Sequence, residues 1–135
     1  MSRYLLDTEL VLWWLNGDAR LPSWGVALLQ APGAEVFVSQ ASLWELAEKR
    51  AAGWLRLEAG LDLAALIAEL QRLHLRWLPI ADAHLLALAT LPPEPEHFDP
   101  FDRLLVAQAR QEPLTLVSGD PAMERYGATV FPLHR

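Results

Sequence analysis

Segments that form β-strands alternate with segments that form helices along the chain, and this alternation constrains the fold most. Apolar runs rich in β-branched and aromatic residues predict strands at 2–7, 35–39, 75–80, 114–118 and 129–133. Helical spacing of apolar residues, together with capping residues, predicts helices at 8–16, 22–31, 40–52, 61–74, 81–91, 99–111 and 120–126. The pattern predicts an α/β fold with a central, mainly parallel sheet of about five strands and helices on both faces.

The length and composition indicate a single domain over residues 1–135. Hydrophobic residues make up 53% of the chain, which is enough for a sizeable core, and there is no cysteine for a disulfide or a thiolate site. No apolar run reaches the roughly 18 residues of a membrane helix. The opening residues do not resemble a signal peptide, because their apolar stretch is short and ends at Asp7. We therefore expect a cytoplasmic protein without a membrane segment.

The balance of charges bears on the class of partner. The net charge is −6, from 17 acidic and 11 basic residues, and Lys49 is the only lysine. Binding to nucleic acid depends on contacts with phosphates, so an excess of acids argues against it at first sight. If several acids share one metal site, however, the cation neutralises them and the remaining surface is closer to balanced.

Several carboxylates lie where the predicted strands end. Asp7 ends the first strand, Asp120 follows the fourth, and Glu45 lies in the helix that leaves the second. Asp99 and Asp102 open the helix before the fourth strand. Right-handed crossovers bring such positions to one edge of a parallel sheet, where ligands bind. Converging carboxylates repel one another, and a hard divalent cation with oxygen ligands removes that repulsion.

Each of these acids also has a purely structural explanation. Asp7, Asp99 and Asp120 stand at helix starts, where aspartate is a common N-cap. Glu45 is opposite Leu43, Ala47 and Trp54 on a helical wheel, so an ordinary solvated glutamate explains it equally well. The set and its order, rather than any single acid, favour a functional site.

Four segments carry a family resemblance that runs from end to end of the chain. They are YLLDT at 4–8, SQASLWELAEK at 39–49, HFDPFDRLLVAQA at 97–109 and LTLVSGD at 114–120. In this order and at these separations they resemble the motifs of the PIN-domain family, and within it the VapC toxins of toxin–antitoxin pairs. The third segment is the most specific, with the general family acid at Asp102 and an additional subgroup acid at Asp99.

The resemblance implies a ribonuclease that uses Mg²⁺ or Mn²⁺ to hydrolyse RNA phosphodiesters. It assigns catalytic roles to Asp7, Glu45, Asp102 and Asp120. Asp7 and Asp102 would be metal ligands, directly or through water, while Glu45 and Asp120 would orient waters or hold a second ion. Asp99 is either a further ligand or only the helix cap.

Neighbouring residues are candidates for accessory roles. Thr8 and Ser118 carry hydroxyls that can hydrogen-bond water on the ion, or cap the following helix. Lys49 can approach phosphate, although an ion pair with Glu45 four residues earlier explains it equally. Arg103 can bind phosphate or a carboxylate. His97 is near the site, but the other histidines are scattered, so we do not expect a zinc site.

The chain has six tryptophans, of which Trp13 and Trp14 lie on the first predicted helix, Trp24 on the second and Trp44 beside Glu45. Their rings can stack on single-stranded bases, or be buried in the core or in an interface. VapC-like proteins usually dimerise and are held inactive by a VapB-like antitoxin, so the resemblance implies both partners. We expect the antitoxin to cover the apolar surface of the first helices and the surface around Trp44. The residues of these surfaces are Leu10, Val11, Trp14, Leu43, Trp44 and Leu46.

Three other functions fit parts of the sequence. A PIN module without activity would only bind RNA or protein. A haloacid-dehalogenase-like phosphatase also begins with a strand and an aspartate, but it needs a second aspartate where Glu9 stands and a lysine late in the chain. A phospho-receiver domain could use Asp82 after the third strand, but it needs the same late lysine.

Overall fold

The computed structural model describes residues 2–53, 62–97 and 99–133. Within these residues the strands are β1 (Arg3–Leu6), β2 (Glu35–Ser39), β3 (Arg76–Leu78), β4 (Thr115–Ser118) and β5 (Val130–Pro132). The helices are α1 (Thr8–Asn16), α2 (Ser23–Leu29), α3 (Gln40–Ala51), α4 (Leu63–Arg72), α5 (Asp82–Thr90) and α6 (Pro100–Gln111). A 3₁₀ segment covers Pro121–Thr129. No described helix has both the length and the apolar character that a bilayer crossing requires.

The strands form one parallel sheet in the order β3-β2-β1-β4-β5. The chain builds outwards from β1 in one direction through β2 and β3, and then in the other direction through β4 and β5. The switch point of the sheet therefore lies between β1 and β4, where Leu6 is paired with Val117. Ligands of open α/β sheets bind at the carboxyl ends of the strands beside such a point.

Helices cover both faces of the sheet, as the sequence predicts. Successive strand residues point to opposite faces, so Leu6 packs with Leu10 and Leu66 in one core cluster. Leu5 packs on the other face with Leu105 and other residues of α6. Both faces of β1 are thus buried against apolar residues. This explains why the strand reads as a continuous apolar run rather than an alternating one.

Capping residues fix most helix starts. The side chains of Asp7, Ser39, Asp62, Asp99 and Asp120 each accept a hydrogen bond from a backbone N–H of the helix that follows. The capping interpretation of Asp7, Asp99 and Asp120 is therefore confirmed.

The predicted elements exist, but several are shorter than predicted. The helix predicted at 22–31 covers Ser23–Leu29, because Pro22 is its N-cap. The strand predicted at 75–80 covers Arg76–Leu78, because it pairs with β2 only from Phe37 to Ser39. The predicted start of α4 at residue 61, together with Trp54, Phe98 and His134, lies outside the described residues.

The expected antitoxin surface is partly wrong. Leu10, Val11 and Leu46 are buried in the core cluster around Leu6, so no partner can cover them in the folded protein. Their helical faces are apolar because they pack against the sheet. Trp44, in contrast, is 55% exposed and remains a surface residue.

Because β1 is buried on both faces, we expect its apolar side chains to contribute strongly to the free energy of unfolding. Leu5→Ala removes a side chain with no exposed surface, so we expect the free energy of unfolding to fall by about 2–5 kcal/mol. Leu86→Ala is the matched control, because Leu86 is 70% exposed, and its effect should stay within about 0.5 kcal/mol. Urea denaturation followed by circular dichroism measures both, and equal effects would contradict the assignment of Leu5 to the core.

Candidate metal centre

Asp7 occupies the end of β1 at the switch point of the sheet. Its backbone N–H donates to the carbonyl of Val117 at 2.9 Å, so the pairing of β1 with β4 continues up to the aspartate. Its Oδ1 accepts from the backbone N–H of Thr8 at 2.8 Å, and its Oδ2 accepts from the Ser118 hydroxyl at 2.6 Å. The carboxylate is buried and held from both sides, so its orientation is fixed.

Ser118 connects Asp7 to the next acid. Its Oγ also accepts a hydrogen bond of 3.1 Å from the backbone N–H of Asp120. Asp120 in turn uses Oδ1 to cap the 3₁₀ segment through the backbone N–H of Ala122 at 2.9 Å. The end of β4 therefore places Asp120 beside the strand end that carries Asp7.

Asp102 reaches the same place from the first turn of α6. One ligand atom each from His97, Asp102 and Asp120 lie within 4.8 Å of one another, which is close enough to share a metal ion. His97 Nε2 lies 3.1 Å from Asp102 Oδ2, and His97 Nδ1 lies 2.8 Å from the hydroxyl of Tyr126. Metal-binding carboxylates are commonly held by such outer hydrogen bonds.

Electrostatics show that the predicted acids have converged. The pKa of Asp102 is raised to about 8, mainly by burial and then by the charges of Asp7, Asp99, Glu45 and Asp120 in that order. Charges act over short distances in salt solution, so all four lie near Asp102. We call Asp7, Glu45, Asp102 and Asp120 the acidic cluster.

The pKa of Asp7 is also raised, to about 6. Burial is the main cause, and the charges of Glu9 and Glu45 add to it, while the hydrogen bonds from Ser118 and Thr8 oppose it. Both carboxyls are therefore costly to ionise in the absence of a cation. A divalent ion beside them would reverse that cost, so the residues present fit a metal.

Glu45 is not an ordinary solvated glutamate. It is only 7% exposed, and its Oε2 forms an ion pair of 3.0 Å with Lys49 Nζ. Its Oε1 is buried without a hydrogen-bond partner among the described residues. A buried carboxylate oxygen without a partner is rare in folded proteins, and a metal ion or its bound water would satisfy it.

The other candidates take a range of positions. The Thr8 hydroxyl donates to Ser42 Oγ at 3.0 Å, and Ser118 binds Asp7 as described. Asp99 Oδ1 accepts from the backbone N–H groups of Phe101 and Asp102, at 2.9 and 3.2 Å. The guanidinium of Arg103 donates to the carbonyls of Leu91 and Pro92, at 3.1 and 3.2 Å.

A family model described as "PIN domain" matches residues 4–128. The chain belongs to the PIN-domain family. The match includes all four members of the acidic cluster, and the PIN fold agrees with the five-stranded parallel sheet over the described residues. No curated protein sequence matches the chain at a significant level.

Several solved structures share this fold. FitAcB from Neisseria gonorrhoeae is similar with 22% identity, a TM-score of 0.66 and coverage of 96% of this chain and 97% of the other. DNA-bound VapBC from Salmonella typhimurium gives 16% identity, a TM-score of 0.68 and coverage of 98% and 99%. A toxin–antitoxin complex from Klebsiella pneumoniae gives 14% identity, a TM-score of 0.67 and coverage of 98% of each chain. At these identities the similarity shows the fold alone.

Sequence reasoning placed His97 near the site without a role, and it missed Tyr126 as the partner of His97. The signal for His97 was its place inside the segment 97–109, two residues before Asp99. Tyr126 had no signal, because its contact with His97 depends on how the 3₁₀ segment packs. The Ser118 hydroxyl was considered for binding water, whereas in this PIN domain it binds Asp7 directly.

Gly119 sits between Ser118 and Asp120 and must be a glycine because of Trp13. A Cβ at position 119 would lie 2.4 Å from Cζ3 of the Trp13 ring, far inside van der Waals contact. The indole therefore packs directly on the backbone that carries Asp120. This contact joins α1 to the end of β4 and helps to fix the position of Asp120.

We expect Gly119→Ala to destabilise the PIN domain by about 1–3 kcal/mol, because the methyl group overlaps the Trp13 ring. Adding Trp13→Leu should remove the overlap, so the double variant should lose less stability than the sum of the single variants. Urea denaturation of the four proteins measures this coupling. Additive losses would contradict the contact.

We also expect metal-free protein to lose stability as the pH rises from about 4 to about 8. The pKa values of Asp7 and Asp102 are raised in the folded state, to about 6 and about 8, from the ordinary value of 3.8. The neutral carboxyls therefore stabilise the folded state fully below pH 3.8, and this stabilisation is lost as the pH rises through the two folded-state pKa values. Mg²⁺ should raise the melting temperature more near pH 8 than near pH 5.

Melting curves with EDTA and with Mg²⁺ across this pH range check the expectation. Asp102→Asn should flatten the pH dependence, since the amide does not ionise. Asp62→Asn is the control, because it changes an exposed helix cap and keeps the capping hydrogen bond. A Mg²⁺ effect that is the same at both ends of the pH range would contradict carboxylate binding.

Proposed function

We propose that this PIN domain is an endoribonuclease dependent on Mg²⁺ or Mn²⁺ and the toxin of a toxin–antitoxin pair. One observation carries the proposal: the acidic cluster gathers at the switch point of the sheet, where α/β proteins bind their ligands. The PIN domain is a family of typically metal-dependent nucleases, and the motif resemblance assigns Asp7, Glu45, Asp102 and Asp120 to its acidic positions. Its RNA substrates would place its action in the cytoplasm.

The donor set suits a hard cation. Asp7, Asp102 and Asp120 would hold it, directly or through water, with Asp99 either as a further ligand or only as the cap of α6. Glu45, whose Oε1 has no partner among the described residues, would accept from a water on the ion. When bound, the ion would lower the pKa of water and stabilise charge on the phosphodiester.

The protein's own residues position the carboxylates. Ser118 donates to Asp7 Oδ2 and the backbone of Thr8 donates to Oδ1, so Asp7 keeps one orientation through the reaction. In the His97 tautomer with the proton on Nε2, Nδ1 accepts from the Tyr126 hydroxyl and Nε2–H donates to Asp102 Oδ2, which orients that carboxylate. Lys49 forms an ion pair of 3.0 Å with Glu45 Oε2 and helps to hold that carboxylate in place.

The toxin assignment is supported by the fold that the chain shares with a toxin–antitoxin complex from Klebsiella pneumoniae and with VapBC from Salmonella typhimurium. We propose an antitoxin partner and a homodimer for this chain also. Exposed apolar side chains offer contact surfaces for such partners, and they are Trp24, Trp44, Leu85 and Leu86. A PIN module without activity is the alternative, and it would bind RNA without cutting it.

Purified protein incubated with total RNA should degrade it with Mg²⁺ or Mn²⁺ and leave it intact with EDTA. Asp7→Asn and Asp102→Asn should each lower the cleavage rate by at least about a hundredfold, because the site loses a charged ligand. Gel electrophoresis of the RNA over time measures the rate. Wild type and both variants behaving alike would disprove the nuclease activity.

Asp62→Asn is again the matched control, since it makes the same chemical change at an exposed helix cap. It should cleave at the wild-type rate. Asp99→Asn separates the two roles of Asp99, because asparagine can still cap α6 but carries no charge. A slower reaction would make Asp99 a ligand, and an unchanged rate would make it only the cap.

A further inference from the structure

A pocket lies beside the acidic cluster, on the side of α1 and α2. It encloses about 510 Å³, which is within the range of roughly 300–1,000 Å³ for small-ligand sites. Its walls include Trp13, Asp18, Arg20, Trp24 and Gly119. We call it the tryptophan pocket, and the proposed nuclease chemistry does not use it.

The tryptophan pocket adjoins the acidic cluster through the backbone. Gly119 forms part of its wall, and the next residue is Asp120. The Trp13 ring that packs on the backbone of Gly119 also contacts Arg20, whose guanidinium carbon lies 4.8 Å from the ring centre, so Arg20 lies close to the same strand end. A polymer bound at the cluster would therefore reach this pocket with its neighbouring units.

Arg20 presents a cation at the pocket. Its guanidinium carbon lies 4.8 Å from the centre of the Trp13 ring, and Asp18 binds its Nε and Nη2. These contacts hold the guanidinium in place and leave the N–H groups of Nη1 without a partner among the described residues. An exposed, oriented guanidinium is a common binding group for phosphate.

Trp24 presents an aromatic surface in the same pocket. It is 46% exposed, and its ring is supported by Phe131, with ring centres 6.4 Å apart. The Trp24 side chain is thus supported by the protein and remains accessible to solvent. Indole faces of this kind stack on the bases of single-stranded nucleic acid regardless of sequence.

The charge around the other exposed tryptophan near the cluster is different. Trp44 packs edge-on against Phe101, and the groove beside it is lined by the carboxylates of Glu45, Glu48 and Asp99. Lys49 is the one basic residue that lines the groove in the described part of the chain, and it is bound to Glu45. That groove therefore has a negative excess among its described lining residues, whereas Asp18 and Arg20 balance each other in the tryptophan pocket. Phosphate is repelled less in the tryptophan pocket, so an RNA strand is better accommodated there.

We propose that the tryptophan pocket binds one nucleotide of single-stranded RNA beside the bond that is cut, with the base on Trp24 and a phosphate on Arg20. This rests on the proposed function for the identity of the polymer. Trp24 stacks on any base, so the pocket contributes affinity and alignment rather than a sequence code.

The test measures binding separately from cleavage. Fluorescence anisotropy follows a labelled single-stranded RNA of about twelve nucleotides, long enough to span the cluster and the pocket, added to full-length Asp102→Asn protein. In this background, Trp24→Leu should weaken binding about tenfold or more, and Trp24→Phe should retain most of the affinity. Arg20→Ala should weaken binding and lower the slope of log affinity against log salt by about 0.7.

Arg72→Ala is the control for bulk charge, because Arg72 is also an exposed arginine paired with a nearby carboxylate, on α4. Its RNA affinity and salt slope should stay close to those of the parent. Equal losses for Arg20→Ala and Arg72→Ala would overturn the proposal. Unchanged RNA affinity in Trp24→Leu would also overturn the proposal, and the pocket would then be a candidate site for a protein partner. A parent protein that does not bind the RNA would overturn the proposal as well.

Wild-type cleavage of the same RNA distinguishes this proposal from the proposed function. Cleavage without any effect of Trp24 or Arg20 on binding would overturn the pocket alone. Binding that depends on Trp24 and Arg20, without cleavage by wild type, would overturn the nuclease activity and support the pocket. Melting temperatures of all variants show that the losses are not due to unfolding. They should stay close to that of the parent, because Arg20 is exposed and leucine or phenylalanine at position 24 keeps an apolar contact with Phe131.

Discussion

The hydrogen bond from Ser118 to Asp7 is the contact on which the site depends. It joins the ends of two adjacent strands, 111 residues apart in sequence, at the switch point of the sheet. Because a buried carboxylate is costly unless it is hydrogen-bonded, this contact makes the burial of Asp7 possible. The same hydroxyl oxygen accepts from the backbone of Asp120. A single serine therefore sets the separation of two acids that would otherwise repel one another.

The position of Asp102 depends on a second buried polar contact, away from the cluster. The Ser39 hydroxyl donates to Gln108 Oε1 at 2.6 Å, and Gln108 Nε2 lies 3.3 Å from His84 Nδ1. Gln108 and Asp102 belong to the same helix and lie less than two turns apart. Ser39 caps the helix that carries Glu45. The polar contact thus fixes the two helices relative to each other, and with them the two acids.

The fold was predictable because both the strand runs and the helix caps are local signals. The convergence of Asp7 and Asp120 followed from the topology of parallel sheets, and the family motifs supplied Asp102 and Glu45. The burial of Glu45 was not predictable, because it depends on how α3 packs against α6. The same holds for His97, whose two partners come from α6 and from the 3₁₀ segment. Local sequence determines where an element starts, whereas the packing between elements decides which polar atoms are left without a partner.

The net charge of −6 is consistent with an RNA substrate once the cations are located. Most arginines already bind carboxylates or backbone oxygens, and these are Arg3, Arg20, Arg72, Arg76, Arg103, Arg110 and Arg125. The surface therefore offers phosphate little diffuse attraction. Without a bound cation, the acidic cluster repels a phosphodiester. With a bound divalent cation, the site attracts the phosphodiester. On the proposed function, metal and RNA must then bind with positive coupling, because each reduces the electrostatic cost of the other at the same strand ends.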